Sequence, residues 1–190
     1  MSNADIGDVA TAAAVTLGGL ASGDLAELRR MGPGNLAPWF WRLAARHDPI
    51  RYREVDWMQV VRILAILTPR GAPERRPRLH QPNRHLGAVL CDGGDSAWPD
   101  PSLARPRPVY SQLRFAKLLE SKGAQRSVLL TRAARSLARS MPPGGGVNVK
   151  DIALAVLFPD STEVSNGLAR SYYARLDRAS RRAGNREEDT

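Results

Sequence analysis

The chain has 190 residues, 43% of them hydrophobic, and a formal net charge of +9, which together predict one domain or two small intimate ones and an acidic partner. Its single cysteine, Cys91, excludes disulfides and cysteine-based metal sites and is typical of a reducing cytoplasm. No apolar run approaches the ~18 residues of a membrane span, and Asp5 and Asp8 stand where a signal peptide is positively charged, so we expect a cytoplasmic protein without a membrane partner.

The chain is predicted to begin with two helices. Apolar residues recur at helical spacing over 5–21, and a second helix follows in which Asp24 and Glu27 have the spacing of a capping box. The second helix ends at Arg29 and Arg30. These paired arginines can either complement the negative end of the helix dipole or contact phosphate.

Two further helices are predicted before residue 68. The first is capped by Asn35, and its aromatic segment at 39–41 favours a place in the core over the stacking of nucleobases. The second spans 54–67, where apolar residues dominate, and Arg51 and Arg53 precede it.

Two proline-rich loops flank a short helix in the middle of the chain. Residues 68–84 mix prolines with five arginines, a composition that disfavours regular structure and predicts a mobile segment until it meets an anion. A helix over 86–91 follows, and Asp92 and Asp95 are interpreted as residues of the turn that ends it. The loop 95–108 then connects two halves of the chain.

The stretch 105–139 carries most of the net charge, with nine Lys/Arg and one acid, Glu120, or +8 in 35 residues. Two helices divided near 121–123 are predicted here, each with an apolar back and a cationic front. The fronts consist of Arg114 and Lys117 on the first helix and Arg132, Arg135 and Arg139 on the second. Ordinary solvated faces mix Lys with Glu, so the missing acids favour a phosphate-binding surface over a merely solvated one.

Two helices are predicted to close the chain. The Pro/Gly run at 142–146 is interpreted as a turn, because no Lys-Ser/Thr follows it as a phosphate-binding P-loop requires. Asn148 is predicted to cap the next helix, and Thr162 begins the last one. Residues 184–190 form a polar tail that we expect to be disordered.

The whole pattern predicts an all-α protein, because no segment alternates with the period of a strand. We expect eight or nine helices in two bundle-like halves, 1–94 and 109–183. No catalytic constellation is recognisable: His80 and His85 lack a third metal ligand, and the dense bases lack the carboxylates of a Mg²⁺-dependent nuclease. We therefore expect a binding protein rather than an enzyme, without metal or cofactor.

Several short segments also follow one another in a recognisable order. They are Leu28-Arg29-Arg30 with the aromatic helix at 38–43, His85-Leu86-Gly87-Ala88-Val89-Leu90, Ser111-Gln112-Leu113-Arg114-Phe115-Ala116-Lys117-Leu118-Leu119, the helix 130–137, the segment 147–157 and Ala169-Arg170-Ser171-Tyr172-Tyr173. Their order and spacing, over most of residues 10–177, resemble those of the CasB family. That family is the small subunit of the type I-E CRISPR surveillance complex, Cascade.

The resemblance implies an all-helical, non-catalytic subunit present in more than one copy along the belly of Cascade. It implies contacts with guide RNA, with the target and displaced non-target DNA strands, with other Cascade subunits and with a second copy of the chain. The main groove would be formed by the cationic fronts described above. By position in the resemblance, a second phosphate contact would come from Arg29, Arg30, Arg51 and Arg53.

Two other functions are compatible with the sequence. A protein–protein adaptor could dock acidic partners on its arginine face. A helical DNA-binding regulator would need a recognition helix aimed at base edges, and no tri-helical unit with a short turn stands out.

Overall fold

Helices account for all the extended regular structure in residues 3–32, 34–35, 37–100 and 105–188, which the computed structural model describes, and this confirms the all-α prediction. The helices are α1 (Asn3–Gly18), α2 (Ser22–Arg30), α3 (Pro38–Arg46), α4 (Asp48–Tyr52), α5 (Glu54–Leu67), α6 (Leu86–Asp92), α7 (Gln112–Glu120), α8 (Gly123–Ser140), α9 (Val149–Leu157) and α10 (Thr162–Glu188). Nine of these ten have seven residues or more, so the predicted number holds for the longer helices.

The helix α5 forms the centre of the fold. Most of its apolar residues are buried and point in several directions, among them Trp57, Val61 and Leu64. Glu54 and Asp56 lie in its first turn, where negative charge complements the helix dipole. Because it is apolar on more than one side, α5 packs against α1, α2, α8 and α9 at once.

One hydrophobic core crosses the boundary predicted between the two halves. The helix α1 packs on α9, α5 packs on α8 and α9, and α10 lies along α6. The buried apolar residues from Ile6 to Ala179 form a single cluster. The loop 95–108 therefore does not separate two cores, and the described helices of both predicted halves share one interior.

Two of the three predicted helix caps differ in the structure. The residue before α2 is Ala21, with no side-chain cap, so Asp24 and Glu27 do not form a capping box there. The residue before α3 is Ala37 rather than Asn35. The third prediction is confirmed, because the Asn148 side chain accepts a hydrogen bond from the Lys150 amide at 3.1 Å.

The proline-rich segment 68–84 contains more regular structure than its composition predicted. Pro73–Arg75 forms a 3-10 turn, and Leu79 is buried in the core. The Val147 amide donates to the Leu79 carbonyl at 2.9 Å, and the Gln81 amide donates to the Val147 carbonyl at 3.1 Å. These bonds fasten the segment to the start of α9.

The end of the chain also differs from the prediction. The helix α10 continues to Glu188 and so includes most of the segment expected to be a disordered tail, while residues 189 and 190 lie outside the described part. In the part of the chain that the structure covers, no helix combines the length and the apolar character that crossing a membrane requires.

Candidate nucleic-acid interface

The helices α7 and α8 bury one side each and expose the cationic side. Phe115 and Leu118 of α7 are buried, as are Leu130, Ala134 and Leu137 of α8. The exposed side carries the five predicted main-groove bases, Arg114, Lys117, Arg132, Arg135 and Arg139, which we call the α7–α8 cationic face. Arg132, Arg135 and Arg139 fall within about 60° of one another around the helix at ~100° per residue.

Tyr110 connects the two helices of this face. Burial raises the pKa of its hydroxyl, and the charges of Arg114 and then Arg132 act in the opposite direction. Two guanidinium groups from different helices are therefore close enough to influence one phenol. The bases at the start of α7 and in the middle of α8 belong to one region of the surface.

The side chains of the α7–α8 cationic face form no ion pair or hydrogen bond with any group in the described part of the chain. Glu120, the one acid of the stretch 105–139, is exposed at the end of α7 and makes no salt bridge among those residues. Five cations thus face solvent without a paired carboxylate among the described residues. Such a surface attracts polyanions and releases their counterions on binding.

The four predicted bases of the second contact are not equivalent, because two of them are engaged by the protein itself. Arg29 donates from Nε to the Ala65 carbonyl at 2.8 Å and from Nη2 to the Thr68 carbonyl at 3.0 Å. Both carbonyls belong to the C-terminal end of α5, which needs donors. Arg29 is half-buried there, and two of its donors are committed to the helix end.

Arg53 is engaged in the same way. It donates from Nη2 to the Leu157 carbonyl at the end of α9 at 2.7 Å, and from Nε to Asp56 at 2.9 Å. Its guanidinium also lies over the Phe158 ring, 5.5 Å from the centroid. Arg53 joins α5 to α9, and two of its donors are committed to this contact.

The other two bases of the second contact remain accessible. Arg51 forms an exposed ion pair with Asp48 at 3.4 Å. Exposed ion pairs of this kind contribute little to the free energy of folding. The Arg30 side chain is exposed on the last turn of α2. No hydrogen bond or ion pair in the described part of the chain joins the Arg30 or Arg51 side chain to the α7–α8 cationic face.

Arg126 belongs to the basic stretch but not to its surface. It is 1% exposed, and its Nη1 donates to the Pro159 carbonyl at 3.1 Å and to the Ser165 hydroxyl at 2.9 Å. Burial lowers the pKa of its guanidinium, while nearby Asp160 opposes that shift. This arginine links α8 to the start of α10, so it does not add to the cationic surface.

Sequence reasoning missed a buried ionic centre at Asp92. This carboxylate is almost fully enclosed and accepts from Arg175 Nε at 2.7 Å and from Arg84 Nη2 at 3.2 Å. It also accepts from the Gly94 amide at 2.9 Å, so it does serve the predicted turn as well. Local sequence patterns could not show that two arginines so far apart in the sequence bind the same aspartate.

His80 and His85 form hydrogen-bonding contacts with other parts of the fold. His85 Nδ1 lies 3.1 Å from Asp151, whose carboxylate also accepts from the Leu86 amide at 3.0 Å and so caps α6. The Val149 amide donates to His80 Nδ1 at 3.4 Å. Within the described ranges, no three His, Cys, Asp or Glu residues are grouped so that they could hold a metal ion.

No family model matches the chain, and no curated protein or solved structure shows significant similarity to it. The resemblance to CasB therefore rests on the order and spacing of the segments named above.

Proposed function

We propose that the protein binds the sugar–phosphate backbone of nucleic acid through the α7–α8 cationic face and catalyses no reaction itself. The observation that carries this proposal is the set of five exposed bases on two adjacent helices, with no carboxylate paired to any of them in the described part of the chain. The guanidinium group can donate two hydrogen bonds to phosphate oxygens. Contacts with the phosphate backbone do not depend on the base sequence.

The cellular role that fits this binding mode is the small subunit of a type I-E Cascade complex, as the resemblance to CasB implies. In such an assembly the displaced DNA strand must be kept from re-pairing with the target strand. R-loop formation is nearly balanced in free energy, so a basic surface that holds a strand through its backbone can shift the balance. A helical fold without base readout is sufficient for this task.

Replacing Arg132 tests the mode of binding. We expect Arg132→Ala to weaken binding to unrelated DNA sequences equally and to reduce the slope of log K against log salt by about one unit, because one phosphate contact is lost. Fluorescence anisotropy with two unrelated oligonucleotides across a salt series measures both quantities. A loss confined to one of the two sequences would contradict backbone recognition.

The proposed assembly has its own test. We expect the chain to copurify with the products of neighbouring genes and to bring RNA with it. Recovery of a stable protein complex that never contains nucleic acid would count against the Cascade assignment.

A protein adaptor is the second candidate, because apolar side chains are exposed beside the bases. Leu113 of α7 is 70% exposed and Val128 of α8 is 51% exposed. Apolar contacts survive high salt, whereas phosphate contacts do not. Binding to an acidic protein that persists at salt concentrations abolishing nucleic-acid binding would favour the adaptor.

A further inference from the structure

The C-terminal ends of α1, α2 and α5 converge around two arginines outside the α7–α8 cationic face. Arg29 of α2 donates to the Ala65 and Thr68 carbonyls at the end of α5. Arg76 donates from Nη1 to the Gly18 carbonyl at 3.2 Å and also to the Leu20 carbonyl, which closes the end of α1. The segment that follows α5 therefore lies between two guanidinium groups.

Two more arginines complete the group. Arg70 lies between the acceptors of the two arginines. Two residues before it, the Thr68 carbonyl accepts from Arg29, and directly after it the Gly71 carbonyl accepts from Arg76 Nη2 at 2.6 Å. Arg62, one turn before the end of α5, donates from Nε to the Arg29 carbonyl at 3.4 Å. We call Arg29, Arg62, Arg70 and Arg76 the arginine cluster; Arg70 is exposed and the others are half-buried.

The arginine cluster carries more positive charge than its surroundings neutralise. None of its members is within ion-pair distance of a carboxylate in the described part of the chain. Three helix C-termini together supply only about −1.5 charges against four guanidinium groups, since each end is worth about half a charge. Burial, and then the charges of Arg70 and Arg76, lower the pKa of Arg29, and the buried Nε of Arg76 has no hydrogen-bond partner among the described residues.

We propose that the arginine cluster is an oxyanion site that binds phosphate groups. Arg29 and Arg76 are fixed by carbonyl groups and set the positive potential, while Arg70 and Arg62 have donors that are not committed to other groups and can close on the anion. Fixed cations surrounding accessible guanidinium forks are the arrangement that phosphate oxygens favour. The site does not depend on nucleic acid binding at the α7–α8 cationic face.

The test is the melting temperature of the full chain with and without sodium phosphate, at ionic strength matched with sodium chloride. Phosphate at ten times its Kd is expected to raise the melting temperature by about 3–6 °C for a chain of this size. The variant Arg70→Gln is expected to lose this rise. Without phosphate it is expected to melt about 1 °C higher than the wild type, because like-charge repulsion is removed.

Arg178→Gln is the matched control, because it removes one exposed arginine from α10 and leaves the arginine cluster intact. It is expected to keep the full phosphate-dependent rise. A second arm replaces phosphate with a single-stranded oligonucleotide in the Arg132→Gln/Arg135→Gln background, which separates nucleic-acid phosphates from free phosphate as the source. A rise in either arm that requires Arg70 supports the site. No rise in either arm, or a rise that Arg70→Gln retains, overturns it.

Discussion

At the scale of single residues, Gly87 shows how closely two helices can approach. It lies where α6 crosses α10, and a Cβ added there would be 2.1 Å from the Leu168 carbonyl oxygen and 2.2 Å from the Ser171 hydroxyl. Both neighbours belong to the body of α10, so the helices would have to separate. The Gly-containing helix 86–91 was predicted from its pattern, but the reason for its glycine became visible only in the packing.

We therefore expect Gly87→Ala to lower the free energy of unfolding by about 1–3 kcal/mol or more, since overpacking forces the backbone to shift. Gly167→Ala is the matched control. Gly167 lies in α10, the helix that Gly87 contacts, and no described atom is within 4 Å of a Cβ added there. That control should stabilise the protein by about 0.4–1 kcal/mol, as alanine favours helix. Urea denaturation compares the two, and equal effects would show that the contact between α6 and α10 is looser than described.

Three buried groups predict how stability depends on alkaline pH. Burial raises the pKa of Cys91 from 9.0 to about 12, and it also raises the pKa values of Tyr110 and Tyr172. The unfolded chain loses these protons at lower pH than the folded chain does. Unfolding therefore releases protons at alkaline pH, and the free energy of unfolding falls as pH rises above about 9.

We expect Cys91 alone to account for about 1 kcal/mol of stability lost between pH 7 and 10. Urea midpoints at the two pH values, in the wild type and in Cys91→Ala, measure this contribution. The variant should lose less stability over the interval than the wild type. An equal loss in both would mean that the thiol ionises as readily in the folded chain as in the unfolded one.

At the scale of the elements, Asp92 joins α6 to α10 and to the loop that precedes α6. Arg175 from α10 donates to this carboxylate and also, from Nη2, to the Trp98 carbonyl at 2.9 Å, and Arg84 donates from the other side. Removing the negative charge would leave two largely enclosed guanidinium groups without compensation. Breaking a buried ion pair from one side is costly for this reason.

We expect Asp92→Asn to lower the free energy of unfolding by about 3 kcal/mol. Asp48→Asn is the control, because the ion pair between Asp48 and Arg51 has side chains 76% and 64% exposed. The control should change stability by less than about 0.5 kcal/mol. Chemical denaturation of both variants measures the difference, and a similar small effect for Asp92→Asn would contradict a buried ionic centre.

The helices themselves were predictable, because their signals are local. The range 54–67 predicted for α5 is the range observed, and the break at 121–123 divides α7 from α8 as expected. The five-residue α4 was missed, since Asp48–Tyr52 is too short to show a period. The hydrogen bonds of Arg29 and Arg53 to main-chain carbonyls were not predicted, because the acceptors Thr68 and Leu157 lie far away in the sequence.

At the scale of the whole molecule, the arginines named above divide into two groups with different surroundings. One group binds the ends of helices and loops and includes Arg29, Arg53, Arg76, Arg126 and Arg175. The other faces solvent and includes the arginines of the α7–α8 cationic face. The net charge of +9 therefore overstates the charge available to a partner, and the position of the free bases matters more than their number.

The position of charge is tested most directly by two variants of equal net charge. One is Arg132→Gln/Arg135→Gln on α8, and the other is Arg178→Gln/Arg181→Gln on the exposed side of α10. Binding of a 20-nucleotide single strand is measured by fluorescence anisotropy over a salt series. We predict that the α8 variant reduces the salt slope by about 1.4 units and that the α10 variant leaves it nearly unchanged. Equal reductions in the two variants would contradict a defined phosphate-binding face and indicate that net charge alone attracts the strand.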